Sequence, residues 1–178
     1  MEKIDLNTLW EGCQVQDRNA QAQLYHHYSK QMFALCMRYA QNTMEAEDIL
    51  QNAFIKVFSK HHQYNGKGSL EGWIKRVVIN TAIETFRKNH GKQATSLAEN
   101  EDLQLTSNID ADQTGYKDLL QLIQQLPVGY RTVFNLYAIE GYTHKEIAEM
   151  LSISEGASKS QLSRARHWLQ QRLVHLST

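Results

Sequence analysis

Lys159, Arg164, Arg166 and Arg172 stand within the last twenty residues of a 178-residue chain whose net charge is zero, and Gln161 and Ser163 are set among them. Cations meet phosphates, while Gln, Ser and Arg side chains can hydrogen-bond base edges, so the chemistry offered is recognition of nucleic acid. Covalent chemistry finds no such concentration. No Ser-His-Asp set, paired-carboxylate arrangement or phosphate-binding glycine loop can be assembled, and the chain reads as a non-enzyme. Cys13 and Cys36 are too far apart for a CxxC, and the pairs His26-His27 and His61-His62 point to different sides of a helix. Buried reduced thiols, no metal, no cofactor and no small-molecule substrate are therefore expected.

The basic residues must be carried by an element that can present them. In YTHKEIAEMLSISEGASKSQLSRARHWLQQRL (142–173), Thr143 and Glu146 have the spacing of a capping box, and Ile147, Ala148, Met150 and Leu151 give the short helix behind them one apolar side. Leu151-Ser152-Ile153 is a tight break, and Ser154 can cap a second helix from Glu155. On that helix Leu162, Ala165, Leu169, Leu173 and Leu176 share one face. Gly156, Ala157, Ser160, Ser163, Arg164 and His167 lie broadly opposite, with Lys159 and Gln161 on the flanks. Two helices and a short turn make a helix-turn-helix, whose second helix would enter a major groove. A solvated amphipathic helix is the competing reading. A left-handed Ser152 at the turn would cost about 1 kcal/mol, where Gly would cost less.

The first half of the chain is also helical. Ala46, Ile49, Leu50, Ala53, Phe54, Val57 and Phe58 keep a strict three-and-four spacing, so 46–58 is an amphipathic helix, capped by Asn42 or Thr43, whose outer side carries Glu47, Asp48, Gln51, Asn52 and Lys56. Upstream, Asp17 can open a long helix with Leu24, Tyr25, Tyr28, Met32, Leu35, Cys36 and Tyr39 as its packing stripe. Downstream, a glycine-containing loop with Tyr64, Asn65 and Lys67 leads to Ser69, a cap for a helix packed through Leu70, Trp73, Ile74, Val77, Ile83 and Phe86. Lys75, Arg76, Arg87, Lys88 and Lys92 face a single Glu84, with Asn80 and Thr81 between them. Basic charge beside amides and an aromatic loop suits an unstacked DNA strand.

Charge divides the chain. Residues 1–91 carry 11 basic and 9 acidic side chains, 92–115 carry 1 and 5, and 116–178 carry 7 and 5. The acidic middle is polar and without sustained apolar period, hence a flexible linker. An all-α chain of two small domains, 1–91 and 116–178, follows. The first thirty residues do not resemble a signal peptide and no apolar run approaches membrane-spanning length, so a cytoplasmic protein is expected.

LYHHYSKQMFALCMRYAQNTMEAEDILQNAFIKVF, GSLEGWIKRVVINTAIETFRK and LIQQLPVGYRTVFNLYAIEGYTHKEIAEMLSISEGASKSQLSRAR together resemble the sigma-70 family, specifically its small extracytoplasmic-function (ECF) group, in order and over most of residues 10–175. The resemblance implies that the polar face of 46–58 docks on the clamp helices of core RNA polymerase. It implies that the 64–72 loop, with Tyr64, Lys67 and Ser69, holds a flipped −10 base while Arg76, Asn80, Arg87 and Lys88 handle the −10 strand. Ser158, Lys159, Gln161, Ser163, Arg164 and Arg166 would turn toward the −35 element of promoter DNA, and an anti-sigma factor, often membrane-tethered in this family, would be a partner. Ser158 and Gln161 depart from the branched aliphatic and Arg that many members hold there, and Ser152 replaces the common turn Gly. Two rivals predict other behaviour: a stand-alone helix-turn-helix regulator would bind a palindrome without polymerase, and an interaction module would bind polymerase or an anti-sigma factor without reading DNA.

Overall fold

The computed structural model describes residues 5–90 and 116–176, and among these there is no strand. The chain divides into two compact units, Met1–Glu84 and Thr85–Thr178, a division that falls earlier than residue 91. The expected linker, 92–115, lies outside the described residues.

The first unit opens with a helix that the sequence reading did not anticipate, α1 (Leu6–Gln14). Asp5 caps it, accepting from the Asn7 backbone N–H at 3.1 Å and the Thr8 hydroxyl at 2.6 Å. Asp17 then caps α2 (Arg18–Tyr39) through the N–H groups of Asn19 and Ala20. The two helices approach closely at Gly12, where an added Cβ would stand 2.6 Å from the Ala20 Cβ. The α2 stripe is buried as expected at Leu24, Tyr28, Met32, Leu35, Cys36 and Tyr39; Tyr25 departs from it, lying exposed with its ring edge-on to Phe54.

Asn42 accepts from the Glu45 N–H at 2.9 Å and so begins α3 (Thr43–Ser59). Its three-and-four stripe is buried from Ala46 to Val57, with Phe58 half-buried. A single 3-10 turn (His61–Gln63) leads to the loop before α4 (Leu70–His90). Ile74, Val78, Ile79, Ala82 and Ile83 are the buried apolar residues of α4, whereas Val77 and Phe86 are only half-buried. Burial pushes the Cys13 thiol up to about 11 and the Cys36 thiol to about 12, so both are inert, as expected.

The second unit is built from α5 (Tyr116–Gln125), α6 (Val128–Phe134), a π-helical turn (Asn135–Ile139), α7 (His144–Leu151) and α8 (Glu155–Leu176). Pro127 starts α6, where a missing N–H costs nothing. Leu122, Leu126, Tyr130, Ala165, Trp168 and Leu169 form the core that holds α5, α6 and α8 together. Arg131 is buried beside it and donates from Nη1 to the Gln124 carbonyl at 2.8 Å. Gly141, with φ +80°, ends the π turn and points the chain toward α7.

Candidate nucleic-acid interface

Thr143 forms the expected capping box: its hydroxyl accepts from the Glu146 N–H, and its own N–H donates to the Glu146 carboxylate at 2.8 Å. α7 ends at Ser152, which does adopt the left-handed conformation at φ 56° and ψ 45°. The Ile153 N–H then closes the turn on the Ala148 carbonyl at 3.0 Å. Ser154 caps α8 through the Ala157 N–H. The turn geometry is therefore achieved without glycine.

Lys159, Ser163, Arg164 and Arg166 lie exposed on the outer side of α8. Ser158 and Gln161 do not join them, and the expectation that they face DNA is corrected: Ser158 is 0% and Gln161 6% exposed. Ser158 Oγ lies 2.9 Å from Nδ1 of His144. The physical reason is a rotation of the buried face. Ser158, Gln161, Leu162, Ala165, Trp168, Leu169 and Arg172 recur at threes and fours and turn inward, while Leu173 is 42% exposed. At about 100° per residue this displaces the face by roughly 40° from the leucine stripe. Ala165, fully buried, stands at the new centre, and Trp168 at its far edge. Arg172, whose guanidinium sits 3.5 Å over the Trp168 ring, is withdrawn from the outer charge, and burial lowers its pKa.

His144 opens α7 with its ring stacked on Tyr137, centroids 4.4 Å apart and planes at 20°. Arg166 lies 5.7 Å above that Tyr137 ring. Burial, then the nearby Lys159 and Arg166, hold the His144 pKa below the usual imidazole value against the opposing pull of Glu155. Sequence reasoning missed Tyr137 and His144 because their contacts cross from the π turn and α7 to α8.

In the first unit Glu47, Asp48, Gln51 and Asn52 all lie exposed on α3. Lys56 departs from that face: its Nζ pairs with Glu84 of α4 and lies 3.3 Å from Thr81 Oγ1. Met44 and Ile55, off the apolar period and so unremarked in the sequence, are 73% and 64% exposed. At spacings of three and four they extend the surface that Asp48, Gln51 and Asn52 begin.

Arg76 and Asn80 are exposed one turn apart on α4, and Arg87 and Lys88 are exposed further along it. Thr81, placed with Asn80 from sequence, is instead buried and donates to the Val77 carbonyl at 2.8 Å. In the preceding loop Lys67 is exposed, but Tyr64 is half-buried. The Tyr64 hydroxyl donates to the Gly68 carbonyl at 2.9 Å, and its ring packs edge-on to Trp10 at 5.6 Å and tilted against Trp73 at 5.6 Å. Ser69 is engaged as the expected cap, its Oγ accepting from the Gly72 N–H. Gly66 and Gly68, both at positive φ, let the loop turn back on its tyrosine. Among the described residues there is no cluster of metal-ligating side chains and no helix long and apolar enough to cross a membrane.

Two family patterns match the chain: Sigma-70 region 2 over residues 24–91 and Sigma-70, region 4 over residues 116–169. The ECF RNA polymerase sigma factor SigW of Bacillus subtilis is 31% identical over 172 residues, covering 90% of this chain and 92% of the relative. The RNA polymerase sigma-H factor of Pseudomonas aeruginosa is 27% identical over 180 residues, covering 94% and 93%. Among solved structures, the sigma factor RpoE of Bartonella quintana, crystallised with the anti-sigma factor NepR, superposes with a TM-score of 0.52 at 21% identity, covering 85% of this chain and 95% of that one. That likeness shows the shared helical fold. The chain belongs to the sigma-70 family, as an ECF sigma factor: a promoter-recognising transcription initiation factor with no covalent chemistry of its own.

Proposed function

We propose the following division of labour within that activity. Residues 1–91 dock on core RNA polymerase and open the −10 element, residues 116–178 bind the −35 element, and residues 92–115 connect them. The observation that carries this reading is the outer side of α8, where Lys159, Ser163, Arg164 and Arg166 are exposed behind a capped, tightly turned α7. A helix so presented can enter a major groove, with Arg164 and Ser163 toward bases and the flanking cations toward phosphates. On α4, Arg76 and Asn80 suit a separated strand, which needs phosphate attraction and hydrogen-bonding edges together. On α3, Glu47, Asp48, Gln51 and Asn52 supply the docking surface, with Met44 and Ile55 as apolar anchors at its ends.

The protein works in the cytoplasm, where its polymerase is, and is held inactive by an anti-sigma factor. The co-crystallised relative of the same fold supports that last step. Run-off transcription with core polymerase and genomic promoter fragments tests the whole reading. Transcripts that start a fixed distance from paired −35 and −10 elements, and vanish when either element is changed, are expected. Tight binding to a palindromic duplex without polymerase would instead make the chain a stand-alone regulator.

A further inference from the structure

The second unit carries a groove of about 400 Å³ between the π turn, α7 and α8. Sites of roughly 300 to 1,000 Å³ hold ligands that bury several groups at once. The lining is of three kinds. Leu162, 4% exposed, gives an apolar floor beside the rings of Tyr137 and His144, which stack with centroids 4.4 Å apart. Lys159 and Arg166 supply two cations, neither of them in an ion pair among the described residues, and no carboxylate lines the groove. Gln170, Ser163 and the Tyr137 hydroxyl can each donate and accept a hydrogen bond.

Each kind of group narrows the ligand. The unpaired cations repel a basic ligand and attract carboxylates, which the planar Arg166 fork above the Tyr137 ring can hold through two N–H donors at once. The amide and hydroxyls offer acceptors as well as donors. An acceptor-only anion leaves those acceptors unused, whereas a peptide brings N–H and C=O groups along its backbone and meets both. Leu162 and the Tyr137 ring favour an apolar side chain between the acids. The complement of this lining is an acidic peptide segment with an apolar residue among its carboxylates.

We infer that this groove is where the anti-sigma partner holds the second unit: an acidic segment of that protein sets one carboxylate on Arg166, another near Lys159, and an apolar side chain against Leu162 and Tyr137. The inference rests on the reading that an anti-sigma factor controls the chain, and it names the surface and the mode of that control. Lys159, Ser163 and Arg166 belong both to the groove and to the side of α8 turned to DNA. An occupied groove and a bound −35 duplex therefore exclude one another. A partner so placed silences the factor by competing for α8, whatever it does at the surface that docks on polymerase.

The first test uses the full chain and a short synthetic peptide with paired glutamates on either side of a leucine, against a control of equal charge in which serine replaces the leucine. The leucine peptide is expected to bind roughly tenfold more tightly than the control, the scale of one buried apolar side chain. Arg166→Ala and Gln170→Glu should each lose roughly tenfold, the first by removing a charge-assisted contact and the second by setting a carboxylate against carboxylates. Both positions are exposed, and circular dichroism checks that the variants fold. With holoenzyme assembled from core polymerase and the full chain, the leucine peptide should displace a −35 duplex. Equal binding of the two peptides, wild-type affinity in both variants, or peptide and duplex bound together overturns the inference.

The second test uses the partner as the cell supplies it. A reporter behind a promoter that the factor transcribes is followed while expression of the chain is raised stepwise; an inhibitor gives a threshold that must be exceeded before the reporter responds. Gln170→Glu should lower that threshold and keep the response above it. A threshold unchanged by Gln170→Glu overturns the inference and leaves anti-sigma control standing, while a response without any threshold removes that control and the inference with it.

Discussion

The Nδ1 of His144, first residue of α7, lies 2.9 Å from Oγ of the fully buried Ser158, fourth residue of α8. That bond ties the two helices on either side of the turn at one point, and it converts a residue expected to read DNA into one that sets the helix pair. Ser158→Ala would leave the His144 nitrogen without its partner, a change worth about 1 to 2 kcal/mol. Urea unfolding of the full chain should show that loss, and −35 affinity should fall alike for all sequences. A changed base preference with stability intact would return Ser158 to the DNA face.

The same histidine predicts a pH dependence. Tyr137 from the π turn and Ser158, Lys159, Glu155 and Arg166 from α8 surround it, and its folded pKa lies below the value near 6.5 that it regains on unfolding. Between those values the unfolded chain binds the extra proton, so stability is full above about pH 6.5 and falls as pH drops through the depressed folded value. Unfolding free energies compared between wild type and His144→Gln from pH 5 to 7.5 should converge in slope above 6.5. Below it, only wild type should carry this added loss.

How far the sequence carried can be judged helix by helix. α3 was legible because seven apolar residues kept one spacing and Asn42 stood in front of them; the structure adds the withdrawal of Lys56 and the exposure of Met44 and Ile55. α8 was legible in its outer cations but not in its roll. Small and polar residues at its start give no periodic signal, and the face extends to Trp168 and Arg172 while Leu173 falls outside it. α1 passed unnoticed because Trp10 and Cys13 alone mark its buried side, and the rings that Trp10 meets, Tyr64 and Trp73, are distant in sequence.

Ser152 occupies the left-handed turn position at φ 56°. A side chain there costs about 1 to 2 kcal/mol, offset for glycine by a loss of about 0.5 to 1 kcal/mol in chain entropy. Ser152→Gly should therefore stabilise the full chain by up to about 1 kcal/mol in urea unfolding. A destabilised variant would mean that the serine side chain contributes more than its backbone costs.

Trp10, Tyr64 and Trp73 meet with ring centroids 5.5 to 5.6 Å apart, which makes α1 the brace of the 64–69 loop. Trp10→Leu removes the shared aromatic contact, worth about 0.5 to 1.5 kcal/mol per pair beyond area. Amide exchange at 65–69 should quicken and permanganate reactivity of −10 thymines should fall, although Trp10 touches no DNA in this account. Unchanged exchange in the loop would show that the brace lies elsewhere.

Lys56 and Glu84 form the ion pair that joins α3 to α4. Glu84 is the one acidic residue among Lys75, Arg76, Arg87 and Lys88, and it sits four residues beyond Asn80, on the same side of α4. Lys56 therefore neutralises the only charge in that stretch that would repel a DNA strand. The pair is largely solvent-exposed on the Glu84 side, so breaking it should cost less than about 1 kcal/mol of stability after screening. Its effect on opening should be larger in proportion. Lys56→Ala should leave core polymerase affinity unchanged, because the side chain faces α4 and not the docking surface, and should lower −10 opening in low salt more than in high salt, since screening weakens repulsion from Glu84. Adding Glu84→Gln should restore opening by removing the repelling charge. Loss of core association by Lys56→Ala, with no rescue from Glu84→Gln, would place Lys56 back on the polymerase face where the sequence first put it.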